Sequence, residues 1–172
     1  MKLMREMQKQ IRESKNLVVV GGGAAGVELA TDAKSKYPDK QVTLVHSRDS
    51  VMHRFGPKLQ ATATDGIKEL GIELITGDRV VSEDKEKGIA VLRSGKEIAC
   101  DYLSMVVAFN VLSGTEGKKP KVKYVPHWLD GVIKLTLGLD KSVSNVGDGK
   151  TEFLFPAKEK NEALMAGGPG IG

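Results

Sequence analysis

A chain of 172 residues with 40% hydrophobic and 28% charged residues holds enough apolar material for one full domain with its own core. The single cysteine, Cys100, excludes an internal disulfide and a CxxC redox pair; the three scattered histidines, His46, His53 and His127, form no metal-ligand pattern; and 5% aromatic content leaves little for base stacking. The formal charge of +4 lies partly in Lys118-Lys119-Pro120-Lys121-Val122-Lys123, which reads as a solvated loop and argues against a nucleic-acid partner, and no run approaches the roughly 18 apolar residues of a membrane span.

The first residues, Met1-Lys2-Leu3-Met4-Arg5-Glu6, lack the apolar core of a secretory signal. A reducing, cytoplasmic setting is expected, with peripheral membrane association left open. Leu3, Met4, Met7 and Ile11 recur at helical spacing, so residues 2–14 are predicted to form an amphipathic lead-in helix. The run Leu17-Val18-Val19-Val20 is a short buried strand that enters Gly21-Gly22-Gly23-Ala24-Ala25-Gly26 directly. A Gly-x-Gly-x-x-Gly turn between a strand and a helix is the dinucleotide phosphate-binding fingerprint. Gly21 permits the tight turn, Gly23 lets the backbone approach a pyrophosphate, and Gly26 lets the helix pack on the strand. The helix start then offers N–H groups and a positive dipole end to phosphate.

The helix carries Val27, Ala30, Ala33 and Tyr37 on one face and stops before Pro38. Gln41-Val42-Thr43-Leu44-Val45-His46 is a second strand. Pro57 starts a helix with Leu59, Ala63, Ile67 and Leu70 in one stripe, capped by Gly71, and Ile72-Glu73-Leu74-Ile75 is a third strand. This β-α-β-α-β order predicts a parallel sheet with right-handed crossovers. From residue 79 to 108 short strands alternate with turns at Lys87-Gly88 and Ser94-Gly95, a β-meander inserted before a last apolar strand at 103–109. Cys100, flanked by apolar residues, reads as a buried structural thiol. Residues 111–123 read as a polar linker, Asp130-Gly131 as a hairpin turn, and Ile133, Leu135, Leu137 and Leu139 as the inward face of a strand. Gly147-Asp148-Gly149-Lys150-Thr151 ends like a P-loop but lacks its upstream glycine and strand.

A dinucleotide fold selective for NAD places a carboxylate at the end of the second strand, on the ribose 2′-hydroxyl. Here His46, Ser47 and Arg48 occupy that place, with Asp49 next along. Arg48 and the polar His46 and Ser47 tolerate a 2′-phosphate, which makes the site NAD(P)-permissive with a tilt toward NADPH; Asp49 keeps an NAD reading open.

The stretch from Asn16 through Gly21-Gly22-Gly23-Ala24-Ala25-Gly26-Val27-Glu28-Leu29-Ala30 resembles the NAD(P)H-binding Rossmann unit of FAD-dependent pyridine nucleotide oxidoreductases. Val42-Thr43-Leu44-Val45-His46-Ser47 and Gly71-Ile72-Glu73-Leu74 with Gly77-Asp78-Arg79-Val80 narrow the resemblance to the apoptosis-inducing-factor-like flavoproteins, including the ferroptosis-suppressor group. The inserted meander resembles that of the nucleotide-binding domains of flavin-dependent disulfide-reductase-like enzymes. The resemblance implies an oxidoreductase in which NAD(P)H gives hydride to FAD, and the flavin passes electrons to a quinone-like acceptor. It implies that Gly21, Gly22, Gly23, Ala24, Ala25 and Gly26 hold the pyrophosphate and that Glu28 lies near nicotinamide and flavin. It places Ala108 beside the nicotinamide, where the family commonly has glycine, and Asp148 on the flavin ribityl chain. Glu28 reads equally well as a carboxylate favoured by the helix dipole.

No FAD-binding glycine turn precedes Gly21, so only part of the flavin surface is expected here. The expected organisation is a lead-in helix over 1–15, an NAD(P)H-binding Rossmann domain over 16–112, a partial FAD-domain-like segment over 113–165 and a disordered tail over 166–172. The expected partners are a nicotinamide dinucleotide and a flavin-bearing chain. No catalytic side chain is assigned, because hydride transfer is the cofactors' own chemistry. The alternative is a non-catalytic nucleotide-binding or interaction module from a truncated gene product.

Overall fold

The structure is a computed structural model that describes residues 2–105, 133–147 and 152–158. In chain order its elements are α1 (Lys2–Glu13), β1 (Asn16–Val20), α2 (Ala24–Lys36), β2 (Gln41–Val45), α3 (Pro57–Glu69) and β3 (Glu73–Ile75). There follow β4 (Val80–Asp84), β5 (Ile89–Leu92), β6 (Glu97–Ala99), β7 (Tyr102–Met105), β8 (Ile133–Thr136), β9 (Lys141–Gly147) and β10 (Glu152–Lys158). The expected hairpin at Asp130-Gly131, the linker, most of the strand predicted over 103–109, and the tail fall outside the described residues.

The central sheet has the order β3-β2-β1-β7, and all its pairings are parallel. β1 lies in the middle because its residues are apolar on both faces. Leu17 and Val19 point to one side, with Val42 and Leu44 of β2, and meet Val27, Ala30 and Ala33 of α2 and Leu59, Ala63 and Ile67 of α3. Val18 points to the other side with Val45, against Ala90, Leu92, Ile98 and Cys100. This is the period-two alternation of a strand buried on both faces. The second face is covered by a separate antiparallel sheet, β4-β5-β6, where a helix would lie in a doubly wound fold. Each fully buried Val, Leu or Ile contributes about 1.5–3 kcal/mol.

α3 begins with Pro57 in its first turn and ends at Leu70, and Gly71 at φ +73° turns the chain toward β3. A left-handed residue just past the helix favours glycine there. The third sheet, β10-β9-β8, is antiparallel with β9 in the centre. Leu135, Leu137 and Val143 join the core cluster formed by α2 and α3, so this sheet covers the outer side of those helices. Its attachment is also polar: Glu28 Oε1 accepts from the Thr136 amide at 3.3 Å, and the Thr31 hydroxyl, which donates to the Val27 carbonyl at 2.9 Å, lies 3.5 Å from the Thr136 carbonyl.

Candidate nucleotide site

The glycine turn leaves β1 at its C-terminal end. Gly21 sits at φ +116°, a conformation open to glycine, and its amide donates to the Val45 carbonyl at 2.9 Å. A Cβ on Gly26 would stand 1.8 Å from the Gly21 carbonyl oxygen, so the first turn of α2 is pressed against the strand end. Gly23 is the N-cap of α2 and offers no side chain to cap it. The amides of Gly26 and Val27 both donate to the Gly23 carbonyl, whereas those of Gly23, Ala24 and Ala25 have no partner among the described residues. These orphan donors, with the positive end of the helix dipole, face outward.

They face a cleft of about 330 Å³. Its floor is the glycine turn and its wall is His46, Met52, His53, Arg54 and Phe55. The wall comes from the loop between β2 and α3, which is tied to the floor through Gly22. The Gly22 amide donates to His46 Nδ1 at 3.0 Å, and the Gly22 carbonyl accepts from the Met52 amide at 2.7 Å. Met52 is buried and holds φ +53°, a left-handed conformation uncommon for a side-chain-bearing residue. His46 Nε2 lies 3.3 Å from His53 Nδ1. Burial, then the neighbouring His53 and Arg48, hold the His46 imidazole below its ordinary pKa, so it is neutral. His53 and Arg54 are exposed on the wall, and Arg54 supplies a cation beside the orphan amides.

A second cleft of about 310 Å³ lies around the corner, between the ends of β1 and β2 and the loop before β4, and is lined by His46, Ser47, Asp78 and Arg79 among others. Ser47 is exposed there, and Arg48 and Asp49, next along the chain, are exposed too. The Arg48 carbonyl accepts from the Gly77 amide at 2.9 Å, which fixes the loop's path. A larger cleft of about 540 Å³ beside α1 and β7 is lined by Glu13, Glu83 and Asp101 against a single Lys85, which disfavours an anion.

The structure therefore brings Gly21 to Gly26 and His46 together at the first cleft, places Ser47 with Gly21 and His46 at the second, and leaves Arg48 exposed past the strand end. His46 is 7% exposed with both ring nitrogens engaged, so it buttresses the turn, whereas Ser47 and Arg48 are exposed past the end of β2. Glu28 does not line the cleft; its carboxylate is turned to β8. Ala108 and Asp148 lie outside the described residues. The sequence reading missed Met52, His53, Arg54 and Phe55. The available signal was geometric: the chain must pass the glycine turn on its way from β2 to the helix that Pro57 opens. Among the described residues no cluster of metal-ligating side chains occurs and no helix is long and apolar enough to cross a membrane.

A parallel sheet of this order, with a glycine turn at the end of its central strand and an uncapped helix behind it, defines a dinucleotide-binding domain of Rossmann type. Residues 2–118 match the family described as pyridine nucleotide-disulphide oxidoreductase, and the chain belongs to that family, whose members are FAD- and NAD(P)H-dependent. It is 42% identical over 105 residues to Fe-regulated protein 8 of Mycosarcoma maydis, covering 58% of this chain and 26% of the relative. It is 38% identical over 124 residues to ferroptosis suppressor protein 1 of Homo sapiens, covering 66% of this chain and 32% of the relative. Among solved structures, a ferredoxin reductase from Rhodopseudomonas palustris aligns with a TM-score of 0.56 at 23% identity over 66% of this chain and 29% of that one. A NAD-dependent persulfide reductase from A. fulgidus gives 0.54 at 24% identity over 67% and 22%. These two likenesses concern the fold. The chain spans between about a quarter and a third of the length of the two curated relatives.

Proposed function

We propose that this chain is the NAD(P)H-binding module of an FAD-dependent oxidoreductase, taking the dinucleotide across the glycine turn. The observation that carries this reading is the set of three unpartnered amides, Gly23, Ala24 and Ala25, at an uncapped helix start that opens into a cleft walled by His53 and Arg54. A Cβ on Gly23 would meet nothing within 4 Å, so the backbone is open on the side where a pyrophosphate would lie. The donor set fits a phosphate pair: backbone N–H groups, a helix dipole and two basic side chains.

In this reading the amides hold the pyrophosphate, and Ser47 and Arg48 receive the adenosine ribose at the end of β2. Arg48 supplies the tilt toward a 2′-phosphate. Bound NAD(P)H supplies a hydride, which in the complete enzyme passes to FAD and onward as electrons to a quinone-like acceptor. The chain's own residues bind and orient the donor; no side chain here is assigned a proton or a bond. We take residues 16–112 as the nucleotide-binding module, with 1–15 leading in and 113–165 as flavin-domain-like, and the flavin as completed by a flavin-bearing partner or segment. Support for keeping residues 133–147 with the module is their packing on α2 and α3. We place the protein in the cytoplasm.

Titration with NADH and NADPH, followed by calorimetry or nucleotide fluorescence, tests the proposal. Saturable binding of both, with NADPH the tighter, is expected. Failure to bind either nucleotide overturns it.

A further inference from the structure

We propose that His46 is a positioning residue of the glycine turn: its imidazole accepts from the Gly22 amide, and proton uptake at His46 releases the turn and weakens dinucleotide binding. This rests on the nucleotide reading given above. The geometry sets the proton positions. Gly22 N–H is a donor only, so Nδ1 of His46, 3.0 Å away, must be the unprotonated acceptor. Its proton is then on Nε2 and is donated to Nδ1 of His53 at 3.3 Å. The chain of bonds runs one way, from Gly22 through His46 to His53, and ends at His53 on the exposed wall of the cleft.

A proton added to His46 breaks this arrangement: it occupies Nδ1 and sets two N–H groups against each other at Gly22. That frees one end of a clamp whose other end is the Met52 amide on the Gly22 carbonyl. A Cβ on Gly22 would lie 2.8 Å from His46 Cγ and 2.9 Å from Cδ2 and Val51 Cγ1, so the ring rests directly on the turn. Gly22 is thus glycine because a ring covers it; it is not among the residues at positive φ.

The charged and titratable groups on the elements around His46 are His53 and Arg54 of the β2–α3 loop, Arg48 and Asp49 of its own strand end, and Asp78 and Arg79 of the loop before β4; the glycine turn contributes none. Burial first, and then the neighbouring His53 and Arg48, lower the affinity of His46 for protons.

The test uses the whole chain with ADP-ribose, which carries the pyrophosphate and survives acid, titrated between about pH 5 and pH 8. If His46 positions the turn, its dissociation constant rises about three- to tenfold on acidification, the worth of one hydrogen bond. The Gly22 amide signal in 1H–15N spectra of the free protein should titrate over the same range, below the ordinary histidine value. In His46→Asn both pH effects disappear, and in His53→Gln the Gly22 titration persists with its midpoint moved. Tighter binding in acid, as a purely electrostatic role of His53 would give, overturns the proposal, as does a Gly22 amide indifferent to pH. Absence of ADP-ribose binding at every pH overturns the proposed function, and the Gly22 titration then still decides the clamp.

Discussion

Two glycines three residues apart should fail in opposite ways when given a methyl group. In Gly26→Ala the new Cβ would fall 1.8 Å from the Gly21 carbonyl oxygen and 2.9 Å from its carbon. Both are backbone atoms, and Gly21 is held by its φ of +116° and by its bond to Val45, so neither side can give. The cost belongs at the upper end of the roughly 1–3 kcal/mol seen for overpacking. About 3 kcal/mol corresponds to a Tm lower by roughly 6–12 °C in a chain of this size. In Gly23→Ala the methyl enters open space, and φ −80° with ψ −179° suits any residue. The slightly poorer N-cap and the stiffer unfolded chain nearly cancel, so stability should hold to within about 0.5 kcal/mol. In the proposed nucleotide complex that methyl would crowd a phosphate oxygen approaching the Gly23 amide. Losing one charge-assisted hydrogen bond, about 1.5–3 kcal/mol, raises Kd by roughly 10- to 100-fold. Thermal unfolding and NADH titration of the two variants decide the matter. Unchanged nucleotide affinity in Gly23→Ala would refute the assignment of the cleft, and a wild-type Tm in Gly26→Ala would refute the geometry of the turn.

Arg48→Glu should weaken NADPH by about tenfold more than NADH, since it exchanges an attraction to the 2′-phosphate for a repulsion; equal losses in parallel titrations would remove Arg48 from the site. Asp32 is half-buried, and burial first and Glu28 second raise its carboxyl above the ordinary 3.8. Its ionised form therefore destabilises the fold at neutral pH, and that burden lifts as pH falls through the raised value toward 3.8. Asp32→Asn should accordingly be more stable than wild type in urea at pH 7, with the gain gone below pH 3.8. Cys100 is buried, and desolvation, aided by Glu83 and Asp101, pushes its thiol up to about 11. Iodoacetamide at neutral pH should spare it in the folded protein and modify it fully in urea, and rapid modification of the native chain would contradict its burial. Leu135→Ala removes a fully buried side chain between β8 and the helices and should cost about 2–5 kcal/mol in unfolding experiments. A much smaller loss would mean that the third sheet does not pack on α2 and α3.

The central sheet is legible wherever local signals agree. Leu17 to Val20 alternate between two buried faces, the glycines punctuate the turn, Pro57 opens α3, and Gly71 at φ +73° closes it. The meander is legible for a similar reason: Gly88 and Gly95 sit at φ +64° and +88°, where turns want glycine. β10 was not anticipated. Pro156 lies inside it, opposite Val143, and a proline within a run argues against a strand unless the strand is an edge. β10 is an edge, but that depends on the sheet order, which no local pattern contains. The docking of Leu135 and Leu137 on α2 and α3 is likewise a long-range choice. Leu137 fits because Gly66 carries no side chain; a Cβ there would approach it to 3.0 Å.

The wall of the cleft escaped the sequence for a reason that bears on cofactor choice. A polar residue at the end of the second strand reads as a ribose contact, and His46 occupies that position. Its register with Val45, pointing back at the turn, instead commits one nitrogen to Gly22 and the other to His53. In the proposed reading, discrimination between NADH and NADPH would fall to the exposed Ser47 and Arg48, while His46 would act on both cofactors alike through the turn. The two effects are separable: a substitution at Arg48 should change the ratio of the two affinities and leave their pH dependence alone. One at His46 should change the pH dependence and leave the ratio alone.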